Sequence, residues 1–176
     1  MLPSSITHLG DEYSLGHLAQ IFRTFSWACV SGAKIDFVVR VRYSDHCISV
    51  TRVDPATLGE HPFDPPDNNR VFDTDRYKWS LELPEIIDGL FNKPTTPIQL
   101  TPEHNGYVFR LHMKHPLGLT EKYYCLVRLK RSSAPQAHQA SVNLDLFVES
   151  AYPRYTEPNR INERPMFGRL AERLIK

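Results

Sequence analysis

Residues 34–43, KIDFVVRVRY, alternate with a period of two. Ile35, Phe37, Val39, Val41 and Tyr43 fall on one side, and Asp36, Val38, Arg40, Arg42 and Ser44 on the other. Successive strand residues point to opposite faces, so this is a strand with one face on a core and one toward solvent. Such a strand needs partner strands and a layer over its apolar side. The partners are legible further on, at 106–113 (GYVFRLHM), 122–131 (KYYCLVRLKR) and 141–152 (SVNLDLFVESAY), the last two being the strongest strand signals. They are joined by SSAPQAHQA, a polar connection longer than a tight hairpin. A turn near Ser44–Asp45 starts another strand through Ile48, Val50 and Val53, and residues 98–100 add a short one.

The covering layer is read as helical. Leu15, Leu18, Ile21, Phe22 and Phe25 recur at helical spacing, with Ser14 as a cap and Gly32 beyond the end, which predicts an amphipathic helix over 13–29. A second helix lies within 77–92, with Pro84 in its first turn and Ile86, Ile87, Leu90 and Phe91 as its apolar stripe. A short basic helix, FGRLAERLIK, closes the chain. Runs of strand and helix without strict alternation imply an α+β fold. The expectation is an antiparallel sheet with two or three helices on one face and a long acidic, proline-rich loop over 54–76. Fourteen prolines against eight glycines cut the chain into short elements, and no repeat is visible. A length of 176 residues suits one domain, with 1–12 and 154–176 as peripheral extensions.

Hydrophobic residues are 41%, charged residues 23%, and mean hydropathy is −0.39, as in ordinary globular proteins. No apolar run approaches the roughly 20 residues of a membrane span. The first residues have neither the basic nor the apolar part of a secretory signal. Three cysteines without a CxxC pattern point to reduced thiols, hence to the cytoplasm, with Cys29 and Cys125 as core thiols.

Net charge is +1 but unevenly spread. Residues 54–90 hold nine acids and three bases, whereas 122–144 hold Lys122, Arg128, Lys130 and Arg131 and no acid. A polyanion responds to the local field, so near-neutrality does not exclude nucleic acid. Solvated faces are the plainer explanation of any one charge run.

Two constellations carry candidate chemistry. In RVRYSDHC, a regular strand would place Arg40, Arg42, Ser44 and His46 on one face, where an imidazole beside guanidiniums and Asp45 can serve as acid or base. The competing reading is a turn aspartate with a hydrogen-bonded histidine. In RLKRSS and VESAY, Lys130 and Ser132 share one face and Arg131 the other, while Ser150 and Tyr152 continue the apolar face unless a bulge turns them out. Hydroxyls near Arg and Lys suit a phosphate. A plain hairpin would keep residues 128–133 away from 150–152, so the two groups meet only if the sheet curls or another strand intervenes. A third block, RYKWSLELPEIIDGL, sets Tyr77 and Trp79 beside Arg76 and Lys78, a pattern for stacking on bases that competes with plain helix packing. There is no HExxH, EF-hand loop, P-loop, GxGxxG or GxSxG, so neither a metal nor a cofactor is expected.

At YSDHC, RYKWSLELPEIIDGL and VNLDLFVESAY the chain resembles a family of small bacterial proteins that carry heat-shock or stationary-phase names; the resemblance spans most of 36–155. In topology it is also similar to the RelE, barnase, EndoU and colicin group of metal-independent ribonucleases. That likeness implies a site on the sheet. The catalytic part would fall to His46, Lys130, Arg131, Ser150 and Tyr152, and substrate binding to Arg40, Arg42 and Arg128. The expected function is a toxin-like endoribonuclease acting on RNA, held in check by an antitoxin. The other reading is an immunity or antitoxin-like interaction module that meets a cognate toxin through the acidic loop.

Overall fold

The computed structural model describes residues 2–29, 31–51, 70–101, 106–114, 120–132, 143–153 and 164–176; for 101, 106–114, 120–122 and 152 it describes the backbone. Along the chain, β1 (Ser5–His8) and β2 (Asp11–Ser14) form a hairpin, and a 3-10 turn (Gly16–Leu18) leads into β3 (Ile21–Ala28). Then come β4 (Lys34–Tyr43), a 3-10 turn (Asp45–Cys47), β5 (Ser49–Thr51), β6 (Arg70–Phe72), α1 (Thr74–Ser80) and α2 (Leu83–Asn92). The chain ends with β7 (Gln99–Thr101), β8 (Gly106–Lys114), β9 (Thr120–Arg131), β10 (Leu144–Pro153) and α3 (Phe167–Ile175).

The α+β reading holds. Six strands form one sheet in the order β3-β4-β10-β9-β8-β7, and four of its five pairings are antiparallel. The exception is β4 with β10, which run parallel, one strand in from the β3 edge. One face carries the core: Phe37, Val39 and Val41 from β4, Cys125 and Val127 from β9, and Leu144, Leu146 and Val148 from β10. Leu83, Ile87 and Leu90 of α2 and Phe167, Leu170 and Ala171 of α3 belong to the same core. No helix among the described residues is long and apolar enough to cross a membrane.

The helix expected over 13–29 does not exist. Leu15 and Leu18 are buried in a turn, and Ile21–Ala28 is an edge strand in which Phe25 lies opposite Phe37, the rings stacked at 4.8 Å. The spacing 15, 18, 21, 22, 25 mimics a helical stripe because a turn buries Leu15 and Leu18 and a strand turns Ile21 and Phe25 to the same core, while Phe22 lies on the other face opposite Arg40. Ile21, Phe22, Thr24, Phe25 and Trp27 are β-branched or aromatic, which suits a pleated surface better. The β1–β2 turn hides its signal too. Leu9 and Gly10 both have positive φ, 53° and 90°, and a leucine in that region is not a recognisable turn residue.

Within the stretches expected to be peripheral, Ile6 of β1 is buried, and so is most of α3. The strand read through Ile48–Val53 is β5, which pairs with β6 outside the main sheet. Residues 52–69, most of the acidic loop, lie outside the described residues. The loop's last part is regular: Asp73 caps α1 by accepting the Arg76 amide at 2.7 Å. Helix 77–92 is broken at Leu81–Glu82, where Pro84 permits a new first turn but not continuation of α1.

Candidate functional site

The parallel β4–β10 pairing assembles what the sequence leaves apart. β10 lies between β4 and β9, so Asp145 stands beside Arg40 and Lys130, and Phe147 beside Arg42 and Arg128. All six belong to the face opposite the helices, because their neighbours Val39, Val41, Leu129, Leu146 and Val148 are the buried ones.

Arg40 donates to Asp145 twice, from Nε at 2.6 Å and from Nη2 at 2.9 Å. Arg128 Nη2 donates to Glu149 Oε1 at 2.9 Å. The Arg42 and Arg128 guanidiniums lie 6.0 and 5.5 Å from the centroid of the Phe147 ring. A cavity of about 280 Å³ opens among Arg42, Arg128, Lys130, Asp145 and Phe147. Within the described residues, Arg42 and Lys130 have no carboxylate partner, so the face carries unspent positive charge.

A bulge follows. Pairing with β9 steps from Val148–Val127 to Ser150–Leu126, leaving Glu149 as the extra residue. Ala151 then faces the core, and Ser150 and Tyr152 take the register of Leu126 and Tyr124 on the other face. The bulge thus turns Ser150 and Tyr152 out of the core face; the side chain of Tyr152 lies outside the described residues.

His46 sits where β4 ends. The Ser44 amide donates to Val148 O at 2.9 Å, tying the Asp45–Cys47 turn to the bulge. Ser44 Oγ accepts the His46 amide at 3.1 Å, and Arg76 Nη1 donates to His46 O at 2.8 Å. The imidazole is 43% exposed, with Nε2 4.0 Å from Asp45 Oδ1. Burial and the Arg70 charge lower its pKa, while Asp45 and Glu149 oppose them. The imidazole therefore feels the same carboxylate that accepts from Arg128.

The structure brings together Arg40, Arg42, Arg128 and Lys130, and sets His46 and Ser150 beside the bulge at one end of that group. It does not bring Arg131 there. Arg131 lies opposite Leu144, on the helix side of the strand and at its far end. From residue 144 to the bulge is about 15 Å of strand. Tyr77 and Trp79 pack instead: Tyr77 meets Tyr13 at 5.1 Å, and Trp79 meets Tyr123 at 5.6 Å. Cys29, Cys47 and Cys125 are free and buried. Sequence reasoning missed Asp145, Phe147 and Glu149. Phe147 had a readable signal, a large aromatic on the polar side of an alternating strand.

A family model that describes the YjaZ family matches residues 5–175. No curated protein and no solved structure matches the chain.

Proposed function

The chain belongs to the YjaZ family, and we propose that it is a metal-independent endoribonuclease working in the cytoplasm, with single-stranded RNA laid across the open face of its sheet. One observation carries the reading: Phe147 between two guanidiniums, with the His46 imidazole at the bulge end of the same group. Aromatic rings flanked by cations bind unpaired bases by stacking and their phosphates by charge.

The lowered pKa keeps His46 neutral at pH 7, which suits a base. His46 takes the proton of a 2′-hydroxyl, and the freed oxygen attacks the adjacent phosphorus. The guanidinium of Arg128, bonded to the bulged Glu149, offsets the charge gathering on the phosphorane, and the ammonium of Lys130, further along the strand, holds a neighbouring phosphate. The 5′-oxygen leaves and takes a proton from water, giving a 2′,3′-cyclic phosphate and a 5′-hydroxyl. Asp45 and Glu149 hold the imidazole in a field balanced against Arg70 and Arg76. Arg131 has no part in this scheme.

The test is digestion of single-stranded RNA in the presence of EDTA, with and without ribosomes, alongside expression in cells. The expected result is cyclic-phosphate ends and growth arrest, both abolished by His46→Ala. RNA left intact in both settings by a wild type that cells tolerate would overturn the reading.

A further inference from the structure

A second cavity, about 260 Å³, adjoins the first and shares Arg42 and Phe147 with it. It opens where the β3–β4 ladder stops. Ile21 is the first residue of β3 and pairs with Val41, so Gln20, just before it, lies outside the sheet. Arg42 and Tyr43 therefore run on without a partner strand on that side, and Leu2, Leu18 and Gln20 close the gap. Its lining is apolar and aromatic (Leu2, Leu18, Tyr43 and Phe147) with the Gln20 amide and the Arg42 guanidinium as its polar groups.

We propose that the two cavities form one pocket for a mononucleotide unit, with the base in the Gln20 cavity and its phosphate in the Lys130 cavity. The proposal rests on the RNA reading above and names the subsite that reads sequence. Phe147 and the Arg42 guanidinium supply the stacking surface between the halves. The Gln20 amide carries both a donor and acceptor, which is what discriminates base edges. Charge sets the size of the anion. Four cations (Arg40, Arg42, Arg128 and Lys130) meet two carboxylates, and the ion pairs to Asp145 and Glu149 engage Arg40 and Arg128. Arg42 and Lys130 remain, matching the charge of about −1.5 to −2 on one phosphate monoester. A triphosphate would face Asp145 and Glu149 without further cations. The two cavities together fall within the range of about 300–1,000 Å³ usual for small-ligand sites.

The experiment is calorimetric titration of the full chain, at physiological salt, with the 5′-monophosphates of adenosine, guanosine, cytidine and uridine, with ATP, and with inorganic phosphate. At least one monophosphate should bind more tightly than both ATP and phosphate. Phe147→Leu, which keeps an apolar side chain in place, should weaken it by about tenfold, the scale of one lost stacked base. Gln20→Ala should reorder the four bases and leave phosphate binding unchanged. Equal affinity for phosphate and monophosphates, no binding of any, or a uniform loss in Gln20→Ala would overturn the pocket. A chain that binds a monophosphate but leaves RNA intact keeps the pocket and ends the cleavage reading. A chain that cleaves RNA with a base preference untouched by Gln20→Ala ends the pocket alone.

Discussion

Asp145→Ala isolates the charge pair under the candidate site. The Asp145 side chain is 3% exposed and Arg40 16%, and the two meet through hydrogen bonds of 2.6 and 2.9 Å. Removing one partner of a buried pair costs about 3–5 kcal/mol, because the other charge stays desolvated without its counter-charge. The Arg40 side chain is not fully buried, so the lower end applies, about 3 kcal/mol. In a chain of this size each kcal/mol moves the melting temperature by about 2–4 °C, so Tm should fall by about 6–12 °C. The double variant R40M/D145L removes both charges and fills the space with apolar atoms. Such replacements are often neutral, so it should melt near the wild type. Differential scanning calorimetry of the wild type, D145A, R40M and the double variant reads this directly. If D145A and the double variant lose the same amount, an uncompensated charge is not the cause and the reasoning fails. D145A also removes one negative charge from the open face, so low-salt binding of a single-stranded RNA should tighten in that variant while it remains folded.

Gly168→Ala should destabilise by about 1–3 kcal/mol, as overpacking does. An added Cβ would lie 2.1 Å from Trp27 Cε3, and the indole is tied by its Nε1 to Glu172 at 3.1 Å. Urea unfolding checks this, and an unchanged midpoint would mean that α3 shifts freely. Burial holds His17 and His46 below their ordinary pKa, so the unfolded chain binds protons more readily than the folded one. Their contribution is complete above about pH 6.5 and declines as pH falls through the lowered folded values. Tm measured from pH 7.5 to 5 should therefore drop, and by less in His17→Gln. Cleavage should rise with pH through the His46 titration and level off near neutrality; a maximum below pH 5 would reject His46 as the base. Glu172 of α3, buried against Trp27 of β3, is pulled down to about 2 by Lys176, with Trp27 and Arg169 assisting. Its stabilisation is present above about pH 4.5 and lost as pH falls toward 2, so Glu172→Gln should flatten the acid limb of the stability curve.

Some of this was written in local pattern. β4, β9 and β10 announce themselves because a half-buried strand must alternate, and Phe37, Val39, Val41, Leu144, Leu146 and Val148 are as buried as the alternation requires. α2 is equally legible from Pro84 and its apolar stripe. Residues 13–29 are not. Leu15, Leu18 and Phe25 reach one core from a turn and a strand, and spacing along the chain records only that they are buried, not by which backbone path.

The site follows the same division. Arg40, Arg42 and His46 are neighbours in sequence, so their proximity was available from the start. That Phe147 would stand between Arg42 and Arg128, that Glu149 would bulge toward His46, and that Arg131 would fall on the other side came only from packing. Amino-acid order by itself settled that β4, β9 and β10 are strands, which face of each is apolar, and that the stripe of α2 has an apolar face to cover. Tertiary structure decided the neighbour of each strand. Pairing β4 to β10 in parallel joins segments about a hundred residues apart, and the alternation of one strand holds no information about which other strand will lie beside it.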